Sequence, residues 1–215
     1  MDVVLPCLNE AGALPDLLAA LPEGYRALVV DNGSTDGSAE IAARLGATVL
    51  HEPRPGYGAA VHTGLEAATS DVVCFLDADG SLDPAELPAL AAPVLAGAAD
   101  LAVGRRVPVA RGVWPWHARA GNLLLSRLLR GRGLDVNDIA PARAVDRMLL
   151  LALGVTDRAF GYPLELLIKA QRAGWRVVEH EISYGARATG TRSKVSGSVR
   201  GTARAVRDMT RVLRQ

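Results

Sequence analysis

The sequence predicts an α/β protein with a mainly parallel central sheet flanked by helices. Three observations carry that expectation. Short apolar runs, too short for helices, recur through the first half of the chain. Patterns of helical length separate them. Polar and glycine-rich residues follow one run after another.

The runs at 3–6, 27–30, 48–51, 72–76 and 101–103 read as strands, and helical patterns fill 13–21, 38–45, 59–68 and 84–96. Asp83 before Pro84 is an N-cap followed by proline at the first helical position. Residues 161–173 read as a helix and 175–184 as a strand with one exposed face. From 199 onward, arginines at 200, 204, 207, 211 and 214 lay one basic stripe along a helix, with Val199, Val206 and Leu213 on another face. Nothing calls for a second domain, so residues 1–215 read as one, with a nucleotide half over about 1–104 and an acceptor half over about 105–215.

Composition narrows the function. The chain has 215 residues and is 49% hydrophobic but only 4% aromatic, so its core is built from Ala, Leu and Val. Net charge is +1, yet residues 185–215 carry +7 and the remainder −6, which points to an anionic partner for the tail. Residues 104–134 hold seven arginines and no acid, with Trp114 and Trp116 among them. The basic stretches otherwise lack interleaved aromatics, which argues against a nucleic-acid binder. Asp2 follows Met1, so no cationic leader is expected, and prolines 88 and 93 interrupt the longest apolar stretch. Two cysteines, in or at strands, read as buried thiols and suggest a cytoplasmic location.

In parallel sheets ligands bind beyond the carboxyl ends of the strands. Here those ends carry Asn9 and Glu10, then "DNGSTDG" at 31–37, then "EPRPGYGAA" at 52–60, then Asp77 and Asp79. Each could be a turn or a cap; four on one edge suggest a site. Residues two apart in an extended segment point the same way, so Asp77 and Asp79 repel each other unless a cation neutralises them. A hard divalent ion, Mg²⁺ or Mn²⁺, does this best, taking one or two carboxylates and substrate phosphates. No dinucleotide-binding, P-loop or nucleophile-elbow motif occurs.

The stretches "PCLNE" (6–10), "VVDNGSTDGS" (29–38), "GYGAA" (56–60) and "FLDADG" (75–80) resemble the GT-A glycosyltransferases, in particular the inverting family of dolichol-phosphate mannose and glucose synthases. "VGRR" (103–106), "VNDIAPARAV" (136–145), the segment 161–184 and "RATGTRSKVSG" (187–197) extend the resemblance over nearly the whole chain. It implies a Rossmann-like GT-A nucleotide-binding fold and transfer of a hexose from a UDP- or GDP-sugar to an acceptor such as polyprenyl phosphate. By that resemblance Pro6, Asn9, Glu10 and Asp31 hold the nucleoside, while Gly56 and Gly58 let the backbone pass close to the donor. Asp77 and Asp79 bind the metal on the diphosphate. Arg106, Arg119 and Arg143 face the acceptor's anionic group, and Arg187, Ser193 and Lys194 close over the phosphates.

The sequence departs from relatives at Asn32, where many have a second aspartate, and at Ser81 and "APAR" (140–143). A phosphate monoester acceptor is already an anion near neutral pH and needs little base catalysis. A soluble hydroxyl acceptor, the alternative, needs a carboxylate base, for which Asp138 and Glu165 are the candidates; each reads equally well as an N-cap or a structural ion pair. A non-catalytic sugar-nucleotide binding module is a further alternative, disfavoured by the intact carboxylate pair. The basic stripe and the two tryptophans add an anionic membrane surface as a partner, placing the protein at the inner face of the membrane without a spanning helix.

Overall fold

In the computed structural model, which describes residues 1–139, 142–188 and 199–214, each apolar run forms a strand. β1 (Asp2–Cys7), β2 (Arg26–Asp31), β3 (Thr48–His51), β4 (Val72–Phe75) and β5 (Leu101–Pro108) are the five expected, and β7 (Val177–Tyr184) is the alternating stretch near the end. β6 (Arg143–Asp146) has no expected counterpart: it is four residues long and starts and ends on charge. The helices are α1 (Leu14–Ala19), α2 (Ser38–Arg44), α3 (Tyr57–Ala67), α4 (Leu87–Leu95), α5 (Trp116–Arg130), α6 (Arg147–Leu153), α7 (Tyr162–Arg172) and α8 (Val199–Leu213). The expected helix from residue 84 begins as a short 3₁₀ turn, Pro84–Glu86, where the Asp83 carboxylate accepts from the Ala85 N–H at 2.9 Å.

The strands pair in the order β3-β2-β1-β4-β6-β5-β7. All pairs are parallel except those of β6, which runs against both β4 and β5. That single reversal matters for the site. Parallel strands deliver their C-terminal residues to one edge, whereas a reversed strand delivers its first residue there. Arg143, which opens β6, therefore pairs with Phe75 and Val103, two residues before Asp77 and three before Arg106.

The sheet is covered on both faces, which is why its central strands β1, β2 and β4 are mostly apolar. Val4, Leu28, Val30 and Phe75 pack with Val61 and Leu65 of α3, Leu150 of α6, Leu164 and Leu167 of α7 and Val212 of α8. Val3, Leu5, Val29 and Cys74 face the other way, onto Leu14 of α1, Ala42 of α2 and Leu90 of α4. Both cysteines are buried, and burial pushes their thiols up, Cys7 to about 11 and Cys74 to about 12. They are inert core residues.

α8 corrects one detail of the sequence reading. Its basic stripe is exposed as expected, but the buried face is Ala205, Asp208 and Val212, while Val206 is 59% exposed. Val212 fits because Gly161 lies beneath it; a Cβ at 161 would stand 2.7 Å from Val212 Cγ2. Among the described residues no helix is long and apolar enough to cross a membrane.

Candidate active site

Asp77 and Asp79 stand in the turn that follows β4, on the edge where the parallel strands end. Asp79 is only 3% exposed; one carboxylate oxygen accepts the Ser81 N–H at 2.9 Å and the other pairs with the Arg187 guanidinium. Burial pushes the Asp77 carboxyl up to about 6. The Asp79 carboxylate adds to the rise, and Arg187, Arg106 and Arg143 oppose it. The end of β7 lies along this turn: Gly185 N–H donates to the Ser81 carbonyl at 2.8 Å and Ala188 N–H to the Asp79 carbonyl at 3.1 Å. Two carboxylates, one disfavoured in its charged form by burial and by its neighbour, and a recruited arginine describe a turn that favours a cation. Among the described residues no three His, Cys, Asp or Glu side chains converge as a metal site. The pair therefore fits a hard ion that takes its remaining ligands from a substrate's phosphates, rather than an ion caged by protein.

Arg106 and Arg143 reach the same turn. Arg106 makes a two-pronged ion pair with the buried Asp138, Nε to Oδ2 at 2.8 Å and Nη2 to Oδ1 at 2.7 Å, and its backbone N–H adds a third bond to Oδ2 at 3.0 Å. Its guanidinium lies 4.2 Å from the centroid of Trp114 and 5.5 Å from that of Tyr184. Arg143 is 1% exposed and donates from Nη2 to the Ile139 carbonyl, and it hydrogen-bonds the Tyr57 phenol. Among the described residues its Nε has no hydrogen-bond partner although it is buried. Arg119 is exposed on α5 and makes no ion pair with the turn among the described residues. Ser193 and Lys194 lie outside the described residues.

The expected nucleoside residues do gather. Pro6 is in β1, Glu10 and Asp31 are buried, and the loops after β1 and β2 interlock. Asn9, with φ of 55°, accepts the Thr35 N–H on its Oδ1 at 2.8 Å and donates its own N–H to Ser34 Oγ at 2.9 Å. Glu10 N–H donates to Ser38 Oγ at 2.9 Å, and Asp31 accepts the Ser34 N–H at 3.1 Å. Sequence reasoning named the ends of this set and missed Ser34 and Ser38 between them. It also took Asn32 only as a lost carboxylate. The amide donates to the carbonyls of Glu52 at 2.9 Å and Arg54 at 2.8 Å and accepts the Gly56 N–H at 2.8 Å, so it ties together the whole loop after β3. A carboxylate could not donate either of the first two bonds.

Other expectations meet a different geometry. The close approach that Gly56 and Gly58 allow is to residues 157–159 of this chain. A Cβ at 56 would stand 2.1 Å from the Arg158 carbonyl oxygen, and one at 58 would stand 2.8 Å from that of Asp157. Carbonyls of the same segment cap α3, since the Gly58 and Ala59 N–H groups donate to the Ala159 and Arg158 carbonyls at 3.1 and 2.9 Å. Trp114 packs on Arg106 and Tyr184 rather than presenting a free indole, whereas Trp116 is 81% exposed.

Asp138, a candidate base, has both carboxylate oxygens on Arg106. Glu165, the other, is 2% exposed and accepts from Thr156 N–H at 3.0 Å, Thr156 Oγ1 at 2.9 Å, Asp157 N–H at 2.6 Å and Lys169 Nζ at 2.9 Å. This is the geometry of a structural ion pair that holds the loop over α3. Burial acts to raise its pKa, but the bonds from Thr156, Lys169 and Asp157 outweigh it and leave it lowered. Glu165→Gln is therefore expected to lower stability by about 1–3 kcal/mol while kcat stays within about tenfold of the parent. The stability difference is present above the ordinary glutamate pKa and fades as pH falls through the lowered value. Parallel melting curves and initial rates check this; a fall in kcat with unchanged stability would restore Glu165 as a base.

Comparison with known proteins bears on what such a site is for. The sequence profile described as glycosyl transferase family 2 matches residues 2–151. A Mycobacterium tuberculosis protein described as a glycosyltransferase is 59% identical over 99% of this chain and 97% of its own length. The undecaprenyl-phosphate mannosyltransferase of Micrococcus luteus is 34% identical over 93% of this chain and 89% of its own. Among solved structures, glucosyl-3-phosphoglycerate synthase of M. tuberculosis, in complex with Mn²⁺, UDP and glucosyl-3-phosphoglycerate, superposes with a TM-score of 0.76 at 26% identity, over 99% of this chain and 77% of that one.

Proposed function

This chain belongs to glycosyl transferase family 2 and is a glycosyltransferase of GT-A fold, and from that premise we propose that it moves a hexose from a UDP- or GDP-sugar, with inversion, to polyprenyl phosphate. The observation that carries this reading is the convergence on one turn of the Asp77–Asp79 pair and three arginines, Arg106, Arg143 and Arg187. Asp77 and Asp79 are the residues to hold Mg²⁺ or Mn²⁺. The ion, when bound, supplies Lewis-acid neutralisation of the departing nucleoside diphosphate. The chain supplies the rest. The interlocked loops around Asn9, Glu10 and Asp31 hold the nucleoside. Arg187, beside Asp79, is placed to meet donor phosphate charge as it develops. Arg106 and Arg143 hold the acceptor's anionic group, which as a phosphate monoester attacks without a protein base. That agrees with the engagement of both candidate bases in structural bonds.

A second reading, transfer to a small soluble acceptor, is favoured by one observation: the likeness to the phosphoglycerate-glucosylating enzyme extends over 99% of this chain. Incubating the protein with labelled UDP- and GDP-hexoses, Mn²⁺, and either polyprenyl phosphate or 3-phosphoglycerate decides between them. Label in the organic phase supports the first; label in the aqueous phase with 3-phosphoglycerate supports the second; no transfer with any combination would contradict both.

The polyprenyl reading brings a surface expectation. Arg200, Arg204, Arg207, Arg211 and Arg214 are exposed along α8, and Trp116 and Leu124 of α5 are 81% and 60% exposed. Each basic residue near an anionic bilayer contributes about 1 kcal/mol at low salt. Co-sedimentation with phosphatidylglycerol vesicles but not phosphatidylcholine vesicles is expected, lost at high salt and in the Arg204→Gln, Arg207→Gln, Arg211→Gln variant. Failure to bind anionic vesicles at low salt would favour the soluble acceptor.

A further inference from the structure

Residues 137–139 belong to no helix or strand, yet two arginines of the site, the half-buried Arg106 and the buried Arg143, hang from them. Asp138 holds Arg106 through three bonds, and the Ile139 carbonyl accepts from Arg143. Two side chains from different elements pin this short segment. From α5, Asn122, 9% exposed, donates Nδ2 to the Asn137 carbonyl at 3.0 Å and accepts the Ile139 N–H on Oδ1 at 3.1 Å, so its one amide brackets Asp138. From β7, Glu179 accepts the Asn137 and Asp138 N–H groups on Oε1 at 2.6 and 3.0 Å, and the Asn137 amide on Oε2 at 2.8 Å. Three consecutive N–H groups and one carbonyl are thus satisfied by two side chains, a task that a neighbouring strand would otherwise perform.

We propose that Asn122 and Glu179 are positioning residues, which fix the 137–139 segment so that Arg106 and Arg143 present their guanidiniums to the anion that the site handles. The inference rests on the reading of those arginines as anion-binding groups. Its physical basis is distance. A guanidinium in a buried, low-dielectric setting acts strongly only where it is held, and a segment without ladder bonds holds nothing by itself. The Trp114 and Tyr184 rings restrain the plane of Arg106, but neither ring sets how far it extends toward the turn; the Asp138 bonds do, and Asn122 and Glu179 set Asp138. Both positioning residues lie outside the carboxylate turn and outside the arginine cluster.

The test uses the full chain with Asn122→Ala and Glu179→Gln, the second at a half-buried position on β7 where loss of folding is not expected. Two readouts are taken: the Kd for inorganic phosphate in the presence of Mg²⁺ and UDP, and the Arg106 Nε–Hε resonance of ¹⁵N-labelled protein, which reports the bond to Asp138 without any ligand. Each variant is expected to weaken phosphate binding tenfold or more and to shift or broaden the Arg106 resonance. In an Arg106→Gln, Arg143→Gln background the added loss from Glu179→Gln should fall below twofold, whereas a merely structural residue would add its full loss there. Folded variants with parental phosphate affinity and an unmoved Arg106 resonance would overturn the inference. If the parent itself binds no phosphate, the anion reading of the arginines fails, and the resonance alone decides whether the two residues position Arg106.

Discussion

Asp77→Asn should raise the melting temperature of the metal-free protein while lowering hexose transfer by about 1,000-fold or more. The two effects share one cause. Burial and the neighbouring Asp79 raise the Asp77 carboxyl to about 6, so its charged form is disfavoured in the folded state. For an acid with a raised folded pKa the stability contribution is full below the unfolded value of 3.8 and is lost as pH rises through about 6. At pH 7.5 the parent therefore carries a penalty on the order of 1–3 kcal/mol that asparagine removes, which corresponds to about 2–12 °C in a chain of this size. The same substitution removes a ligand to the ion that neutralises the leaving group, a contribution of several kcal/mol to the transition state. Melting curves at pH 4 and pH 7.5 check the sign: the stabilisation should be present at 7.5 and absent at 4. Mn²⁺ with UDP should raise the melting temperature of the parent and leave that of the variant unmoved. A variant less stable than the parent at pH 7.5 would show that Asp77 is already neutralised by its arginines.

Gly56→Ala should destabilise the protein by about 3 kcal/mol or more, lowering the melting temperature by at least about 6 °C. Gly56 has φ of 149°, a conformation that side chains avoid, and its Cβ would lie 2.1 Å from the Arg158 carbonyl oxygen, a backbone atom with little room to yield. The displaced 157–159 segment would also lose its bonds to the start of α3. Gly121→Ala is the matched control. That glycine is inside α5 with nothing within 4 Å of the added carbon, so alanine should stabilise by about 0.5–1 kcal/mol. Equal and small effects at both positions would mean that 157–159 does not sit on α3 as described.

How much of this was legible in the sequence follows from what each residue answers to. Strands buried on both faces must be apolar along their whole length, so 3–5, 28–30 and 72–76 announce themselves. The carboxylate pair was legible because two acids at the mouth of such a strand have no packing reason to be there. β6 was not, because "RAVD" is four residues whose meaning comes from pairing between β4 and β5. The roles of Asn32, Asn122 and Glu179 were not legible either. Each is defined by backbone groups 15–42 residues away in sequence, and no local pattern marks such partners. Glu165 shows the converse. Its spacing to Lys169 is the ordinary i, i+4 pairing of a helix, and that local reading describes its contacts better than the catalytic one. On α8 the arginine stripe was legible, whereas the buried face was set by Gly161, a contact that no periodicity in residues 199–213 encodes.

The central claim is that the Asp77–Asp79 turn binds a nucleotide sugar's diphosphate through a divalent ion. Calorimetric titration of UDP and GDP into the protein, with Mn²⁺ and with EDTA, tests it most directly. The account predicts binding of one nucleotide at one site per chain with Mn²⁺, weakened at least about tenfold by EDTA and to the same degree by Asp79→Asn. Nucleotide bound equally well with Mn²⁺, with EDTA and by Asp79→Asn would contradict it.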